Sequence, residues 1–449
     1  GGPDAGKRGN AVKLWKGAGL IALIALLAAC EREEILPGER LPLRGEAAPA
    51  TEAEAAERLG PRPISLPAPS VTSDWTHEAG GPLHRVRHPA LAASLSRVWS
   101  VDIGQGNSRR HRITADPIVG GGRIFTLDSR STVTATSTGG EVLWRRDLTP
   151  AAERAEDATG GGLALAGSRL YATTGFGTLS ALDAATGRVI WTQSLDAPAT
   201  GSPTVRDGLV YAVSRDNRAW AIDADNGRVR WEIPGAPSPA GLVGGAGPAV
   251  TDRLAIFPFA TGELVATLRQ AGVRVWASAV SGGRLGRAYA SVTDITGDPV
   301  VAGDTVYSGN QSGRTVALDT AAGTRRWTAD YGALGPVWVT GGSVFLVSDQ
   351  NELVRLDAET GRTIWAEPLP FFRNIRPRRR DAIYAHYGPV LAGGRLLVAS
   401  SDRLIRAFDP ESGQLVATFE LPDAASSNMA VVNRTLYLVT ANGQLHAFR

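Results

Sequence analysis

The residues able to carry covalent or acid–base chemistry are few and unevenly placed along the 449-residue chain. Cys30 is the sole cysteine, which excludes an intrachain disulfide, a thiolate metal cluster and a CxxC redox pair. Every lysine lies at or before Lys16, so the remainder has no amine for a Schiff base or a phosphate loop. His84 and His88 stand at i, i+4 spacing, but in a proline-rich stretch that does not read as helix, and no metal site is expected there. Gly104-Gln-Gly106 and Gly120-Gly-Gly122 read as turns, not phosphate cradles. One segment favours binding over chemistry: Arg373, Arg376, Arg378, Arg379 and Arg380 place five arginines in eight positions beside Phe371 and Phe372. Arginine and aromatic side chains are the types preferred where interfaces concentrate their energy. This loop is expected to bind an acidic protein or headgroup surface. No catalytic residue and no cofactor are expected.

The role of Cys30 follows from its neighbourhood. A basic stretch from Lys7 to Lys16 runs into thirteen small or apolar residues, Gly17 to Ala29, and stops at Glu31. That run is shorter than the roughly 20 residues a spanning helix needs, and it has the length of a secretory signal core. Leu27-Ala28-Ala29-Cys30 is similar to a lipobox, in which the cysteine thiol receives diacylglycerol before cleavage. Residues 1–29 are therefore read as a lipoprotein signal peptide and Cys30 as the lipidation site, facing the periplasm; Glu31, not Asp, after the cysteine favours the outer membrane. The leader also carries the whole formal charge of +3, leaving the rest neutral, so nucleic acid is not an expected partner. Residues 30–92 hold many prolines amid Ala, Glu and Arg without apolar periodicity and are read as an extended tether. A flexible chain of that length has a typical reach of about 40 Å.

From residue 93 onward one frame recurs. Ala181-Leu-Asp183-Ala-Ala-Thr186-Gly187-Arg-Val-Ile-Trp191 follows a β-rich run, and the frame returns with Trp231, Trp327 and Trp365. Degenerate copies end at Gly140 with Trp144, Gly272 with Trp276, and Gly413 with Ala417 in the tryptophan slot. The Asp can bond nearby backbone N–H groups and the Gly is free to take positive φ, which is turn chemistry. The tryptophan slots recur every 38 to 52 residues, a period that accommodates about four strands. Further strands are signalled by Pro117, Pro203, Pro248, Pro299, Pro336 and Pro389. Seven units are followed by three strands with no final tryptophan, while Ser96-Arg-Val-Trp99 is a tryptophan strand with no unit before it. Joining Trp99's strand to the last three predicts a closed, all-β, eight-bladed propeller of four antiparallel strands per blade over residues 93–449. Trp99, Trp144, Trp191, Trp231, Trp276, Trp327 and Trp365 are then core residues between blades.

Ala-x-Asp-x-x-Thr-Gly-x-x-x-Trp resembles the tryptophan-docking motif of quinoprotein-type propellers. One branch, the dehydrogenases, would hold pyrroloquinoline quinone and Ca²⁺ on the axis; this chain has no cysteine pair in the propeller and lacks the long insertions of those enzymes. The whole chain better resembles the BamB family, with its lipobox, tether and minimal blades. Ile35-Leu-Pro-Gly38, the approach through His84 and His88 to Trp99, and Tyr387 to Gly394 are similar to BamB-like chains of α-proteobacterial type. The resemblance implies a non-enzymatic scaffold that binds POTRA domains of the barrel-inserting subunit and assists unfolded outer-membrane proteins. It also implies a contact surface at Leu242 and Asp294, although Val243-Gly244 replaces an expected Arg-Gly pair and Thr296 an expected second Asp. A generic envelope propeller with another partner is the remaining alternative.

Overall fold

Apolar runs of five or six residues separated by short turns can only return antiparallel, and each repeat accordingly folds as a four-stranded meander. In the computed structural model, which describes residues 58–199, 201–235, 245–280, 297–310, 313–373 and 383–449, eight such sheets form the blades. Seven are continuous in sequence: blade 1 (118–147), blade 2 (161–194), blade 3 (204–234), blade 4 (249–279), blade 5 (300–329), blade 6 (338–368) and blade 7 (386–420). Blade 8 takes three strands from 430–448 and its outer strand, Arg97–Asp102, from the other end. Arg97 faces Phe448 and Asp102 faces Gln444, and Ser96 and Arg449 exchange both backbone bonds at 2.8 and 2.9 Å. The ring is thus the eight-bladed propeller that the repeat count predicts.

The first strands of successive blades neighbour one another around the channel, and burial falls outward. In blade 1 the inner strand Ile118–Gly120 is wholly buried, whereas the outer strand Val142–Asp147 is almost wholly exposed. The middle strands are covered on both faces by adjacent blades, which is why they read as continuous apolar runs and not as alternation.

The repeated frame has a mechanical meaning. Its alanine pairs directly with the tryptophan on the outer strand, as in Ala181↔Trp191, Ala221↔Trp231 and Ala317↔Trp327, and a bulge follows at once. The small side chain leaves room, and the bulge re-aims the indole toward the next blade. There each indole lies on the glycine of the next Asp-x-x-x-Gly turn and donates its N–H to a nearby carbonyl. Trp191 Nε1 donates to Ala224 O at 2.9 Å, and Trp99, at the ring closure, donates to Thr138 O at 3.0 Å. A Cβ built on Gly227 would stand 2.5 Å from the Trp191 ring. Seven seams carry this latch, at Trp99, Trp144, Trp191, Trp231, Trp276, Trp327 and Trp365. The eighth seam, from blade 7 to blade 8, has Ala417 in the slot. Blade 8 has no turn between its third and outer strands, because the two come from opposite ends of the chain; an indole there would have no glycine to dock on.

Candidate functional site at the two mouths of the channel

The ring has two faces. One carries the hairpins between first and second strands; the other carries the connections from the outer strand of one blade to the inner strand of the next. The inner strands present backbone groups to the channel with no further strand to pair with, and such edges must be met by other partners.

On the hairpin face the partner is the chain itself. Residues 58–96, most of them assigned by sequence to the tether, form a strap that visits every blade in turn. Asn433 N–H donates to Thr72 O (2.8 Å) on blade 8, and Trp75 exchanges both backbone bonds with Val119 (2.7 and 2.9 Å) on blade 1. Leu165 N–H donates to Thr76 O (2.8 Å) on blade 2, and Val205 N–H to His77 Nε2 (3.0 Å) on blade 3. Val250 N–H reaches Pro82 O (2.9 Å) on blade 4 and Val301 N–H reaches Leu83 O (3.1 Å) on blade 5. Arg85 donates to Val339 O (3.3 Å) on blade 6; on blade 7, Gly393 and Gly394 N–H meet Pro89 O (2.9 Å) and His88 Nε2 (2.8 Å). The circuit closes on itself through Ser70 and Ala90 (2.8 Å). The tether reading is corrected here: the chain from Arg58 onward is extended but packed. Apolar periodicity was the wrong signal, since the strap binds mainly through backbone groups that every residue type carries.

Its histidines are structural. His88 Nδ1 lies 2.6 Å from Pro67 O while Nε2 accepts the Gly394 N–H, so the proton sits on Nδ1 of a neutral ring. His77 follows the same logic with Thr76 Oγ1 and Val205 N–H, and burial, then His84, push its pKa down to about 3. His84 Nδ1 meets Pro299 O at 2.9 Å, and its Nε2 faces Asp298 at 3.7 Å. Among the described residues no grouping of three or more His, Cys, Asp and Glu could hold a metal ion.

The strap also enters the channel. At the turn Glu78–Gly80, Glu78 lies within electrostatic reach of two carboxyl groups, Asp116 just before blade 1 and Asp298 just before blade 5. These blades lie four apart in a ring of eight, so the two aspartates come from opposite sides of the ring. Asp116 is further held by Asn428, whose backbone N–H and side-chain amide donate at 2.8 and 3.0 Å, and Asp298 accepts Gly247 N–H at 2.6 Å. Asp116 and Asp298 are buried and Glu78 is half-buried, and three carboxyls gathered together resist ionising at once. Burial first, and then the Asp298 and Asp116 charges, raise the Glu78 pKa well above its ordinary range; burial likewise pushes Asp116 up to about 6. A proton held by Glu78 relieves the repulsion among the three.

A carboxyl whose folded pKa is raised stabilises most when protonated, and that contribution fades as pH climbs from the unfolded value of 4.5 toward the raised one. His77 works the other way, its contribution fading as pH falls from 6.5 toward about 3. Glu78→Gln keeps the donor and removes the titration. The melting temperature of Glu78→Gln should therefore match wild type near pH 4 and exceed it by a margin that widens up to pH 8. A margin that does not change with pH would refute a proton held by Glu78.

A cavity lined by Trp75, Ala79, Trp338, Pro389 and Met429 has a volume of about 20 Å³, room for a single water. A cofactor on the axis would have to displace Glu78.

Most of the residues expected to bind a partner fall in connections between blades. Leu242, Asp294, Arg376, Arg378, Arg379 and Arg380 lie outside the described residues, as does Cys30. Their anchoring ends are described. The chain leaves blade 3 at Pro234 and enters blade 4 at Ala249, leaves blade 4 at Ala279 and enters blade 5 at Val300, and leaves blade 6 at Pro368 and enters blade 7 at His386. The described ends of all three connections lie on the face away from the strap. Arg373 is exposed, next to the Phe371 and Phe372 rings, which are tilted at 57° with 4.7 Å between centroids, and Phe372 bridges Ile383 at the other end of the loop.

The family model described as "Outer membrane protein assembly factor BamB" matches residues 129–367, more than half of the chain. A curated relative of that name from Yersinia pestis is 24% identical over 361 residues, covering 79% of this chain and 89% of its own length. Among solved structures, BamB from Moraxella catarrhalis is 21% identical with a TM-score of 0.65, covering 79% of this chain and all of its own. The quinohemoprotein alcohol dehydrogenase of Comamonas testosteroni is 15% identical with a TM-score of 0.64, covering 84% and 81%, a likeness of fold alone.

Proposed function

Because the chain belongs to the BamB family, we propose that it is a non-enzymatic scaffold of outer-membrane β-barrel assembly, held by lipid at Cys30 on the periplasmic face of the outer membrane. Its partner is the barrel-inserting subunit, through POTRA domains, and the contact is made by the connection-face loops that hold Leu242, Asp294 and Arg373 to Arg380. The observation that carries this reading is the family match across the blades themselves, together with a strap that lines the inner edges on one face of the ring. What remains for function is loops and blade edges. A dehydrogenase would need the axis for pyrroloquinoline quinone and Ca²⁺, and Glu78 with its two carboxyl neighbours stands there.

The test is co-purification from detergent-solubilised envelopes. A POTRA-bearing barrel protein should accompany the wild-type chain, and reversing Arg376, Arg378, Arg379 and Arg380 to Glu should weaken that association at least tenfold, about 1.4 kcal/mol. Quinone absorbance with Ca²⁺-dependent dye reduction, and no barrel protein in the eluate, would replace the scaffold reading with the enzyme. Acyl labelling should vanish in Cys30→Ser; labelling that persists would refute the anchor.

Outer strands supply a second contact mode for unfolded barrel proteins. Each has a free edge, and several expose apolar pairs, such as Leu143 at 47% and Leu415 and Val416 at 51%. Strand addition to such edges needs no pocket. Crosslinkers at positions 143 and 416 should capture nascent barrel proteins in cells, and an empty result at both would rule this mode out.

A further inference from the structure

The connection face carries a second basic element that composition alone did not single out. The segment between the outer strand of blade 8 (Arg97–Asp102) and blade 1 contains Arg109, Arg110, His111 and Arg112, and the three arginines are exposed while His111 is buried. The backbone beneath them is fixed. Ser108 N–H donates to His111 O at 2.8 Å, and the His111 ring bonds the Glu156 carbonyl at 2.8 Å and Ser108 Oγ at 3.2 Å. Asn107 ties the same loop to blade 8 through Ser426 (2.8 Å) and to Ile113 N–H (2.7 Å), and Thr159 holds Arg112 N–H at 2.9 Å.

The guanidiniums themselves have no ion-pair or hydrogen-bond partner among the described residues. Elsewhere Arg145, Arg169, Arg218, Arg326 and Arg406 meet carboxylates. The neighbouring acidic connection does not neutralise them: it pairs Asp157 with Arg154 at 3.2 Å and turns the Glu156 carbonyl toward His111. Arg112 lies near enough to Tyr387 to act electrostatically on its phenol, and Tyr387 sits in the inner strand of blade 7 that the Arg373 loop feeds. The arginine turn and Arg373 therefore lie on the same face of the ring. The other mouth is closed by the strap.

We propose that the Arg109–Arg110–Arg112 turn, with Arg373 on the same face, is a preformed docking site for an acidic polypeptide segment. The reasons are charge and preparation together. A guanidinium fork matches a carboxylate in two parallel bonds, and a turn already pinned by His111, Asn107 and Thr159 loses little backbone freedom on binding. A protein ligand is favoured over a headgroup surface because the three guanidiniums rise from a narrow turn beside a channel mouth; a flat lipid surface calls for a broad basic face.

This site rests on the docking-scaffold reading, and its test separates the two. The purified chain is titrated with a ten-residue polyglutamate peptide and, separately, with phosphatidylglycerol vesicles, at low and at physiological salt. Peptide binding that weakens with salt is expected, with at least a tenfold loss in Arg109→Gln/Arg110→Gln/Arg112→Gln, which keeps side-chain bulk and removes only charge. An unchanged circular dichroism melt in that variant shows the ring intact. Equal peptide binding by wild type and variant overturns the proposal, and so does vesicle binding without peptide binding. Peptide binding with no POTRA co-purification leaves this site standing while refuting the named partner.

Discussion

Trp75→Ala is expected to lower the stability of the strapped ring by about 3–5 kcal/mol, the range for removing a fully buried large aromatic. Trp75 is 1% exposed, inside the largest apolar cluster, where it packs with residues of blades 1 and 6 to 8. It is also the point where the strap makes a two-way backbone pairing with the inner edge of the ring, at Val119. Losing the indole should therefore loosen the whole circuit and not merely a cavity. Hydrogen exchange has specific reporters for this. The amides of Val119, Leu165, Val205, Val250 and Val301 donate to the strap and to nothing further inward, so they should lose protection together in Trp75→Ala and keep most of it in Trp75→Phe. If those five amides stay protected in the alanine variant, the strap is held by something other than this anchor.

Gly227→Ala should cost about as much as removing the indole it receives. Gly227 has φ +75°, where an L side chain pays about 1–2 kcal/mol, and its Cβ would sit 2.5 Å from the Trp191 ring. The indole must leave its groove, surrendering its contacts and its bond to Ala224 O. A total of about 3–4 kcal/mol is expected in denaturant unfolding. Two comparisons isolate the cause. Gly208→Ala, at φ +81° with open space around it, should show only the backbone cost. Combining Gly227→Ala with Trp191→Ala should add little to Trp191→Ala beyond that same backbone cost, because the clash no longer exists. Full additivity in the double variant would mean that the glycine and the tryptophan do not act as one latch.

These latches show why the blade count was legible. The turn glycine and the tryptophan four positions later belong to one blade, but each docks on its neighbour, so every copy of the frame reports two adjacent blades at once. Ala417 reads as decay in the seventh copy; in the ring it marks the seam where no docking turn exists. Local chemistry repeated along the chain is enough to determine strands, turns, the number of blades and the need for Trp99 to close them, because all of these depend on residue types at short spacing.

The strap and the mouths depended on distance. Nothing in the sequence of 58–96 marks it as packed, for its bonds are made by peptide groups to inner edges that exist only once the ring has closed. Likewise Glu78, Asp116 and Asp298 are separated by up to 220 positions and are met with one another only because blades 1 and 5 face across a channel. Arg109, Arg110 and Arg112 look like any solvated basic turn until the fold shows them pinned, unpaired and on the mouth left open. The chain's own order thus determined the ring, while which face is sealed, what fills the axis and where charge is left unmatched were decided by closure in three dimensions, since each of those is a relation between residues that only the closed ring brings together.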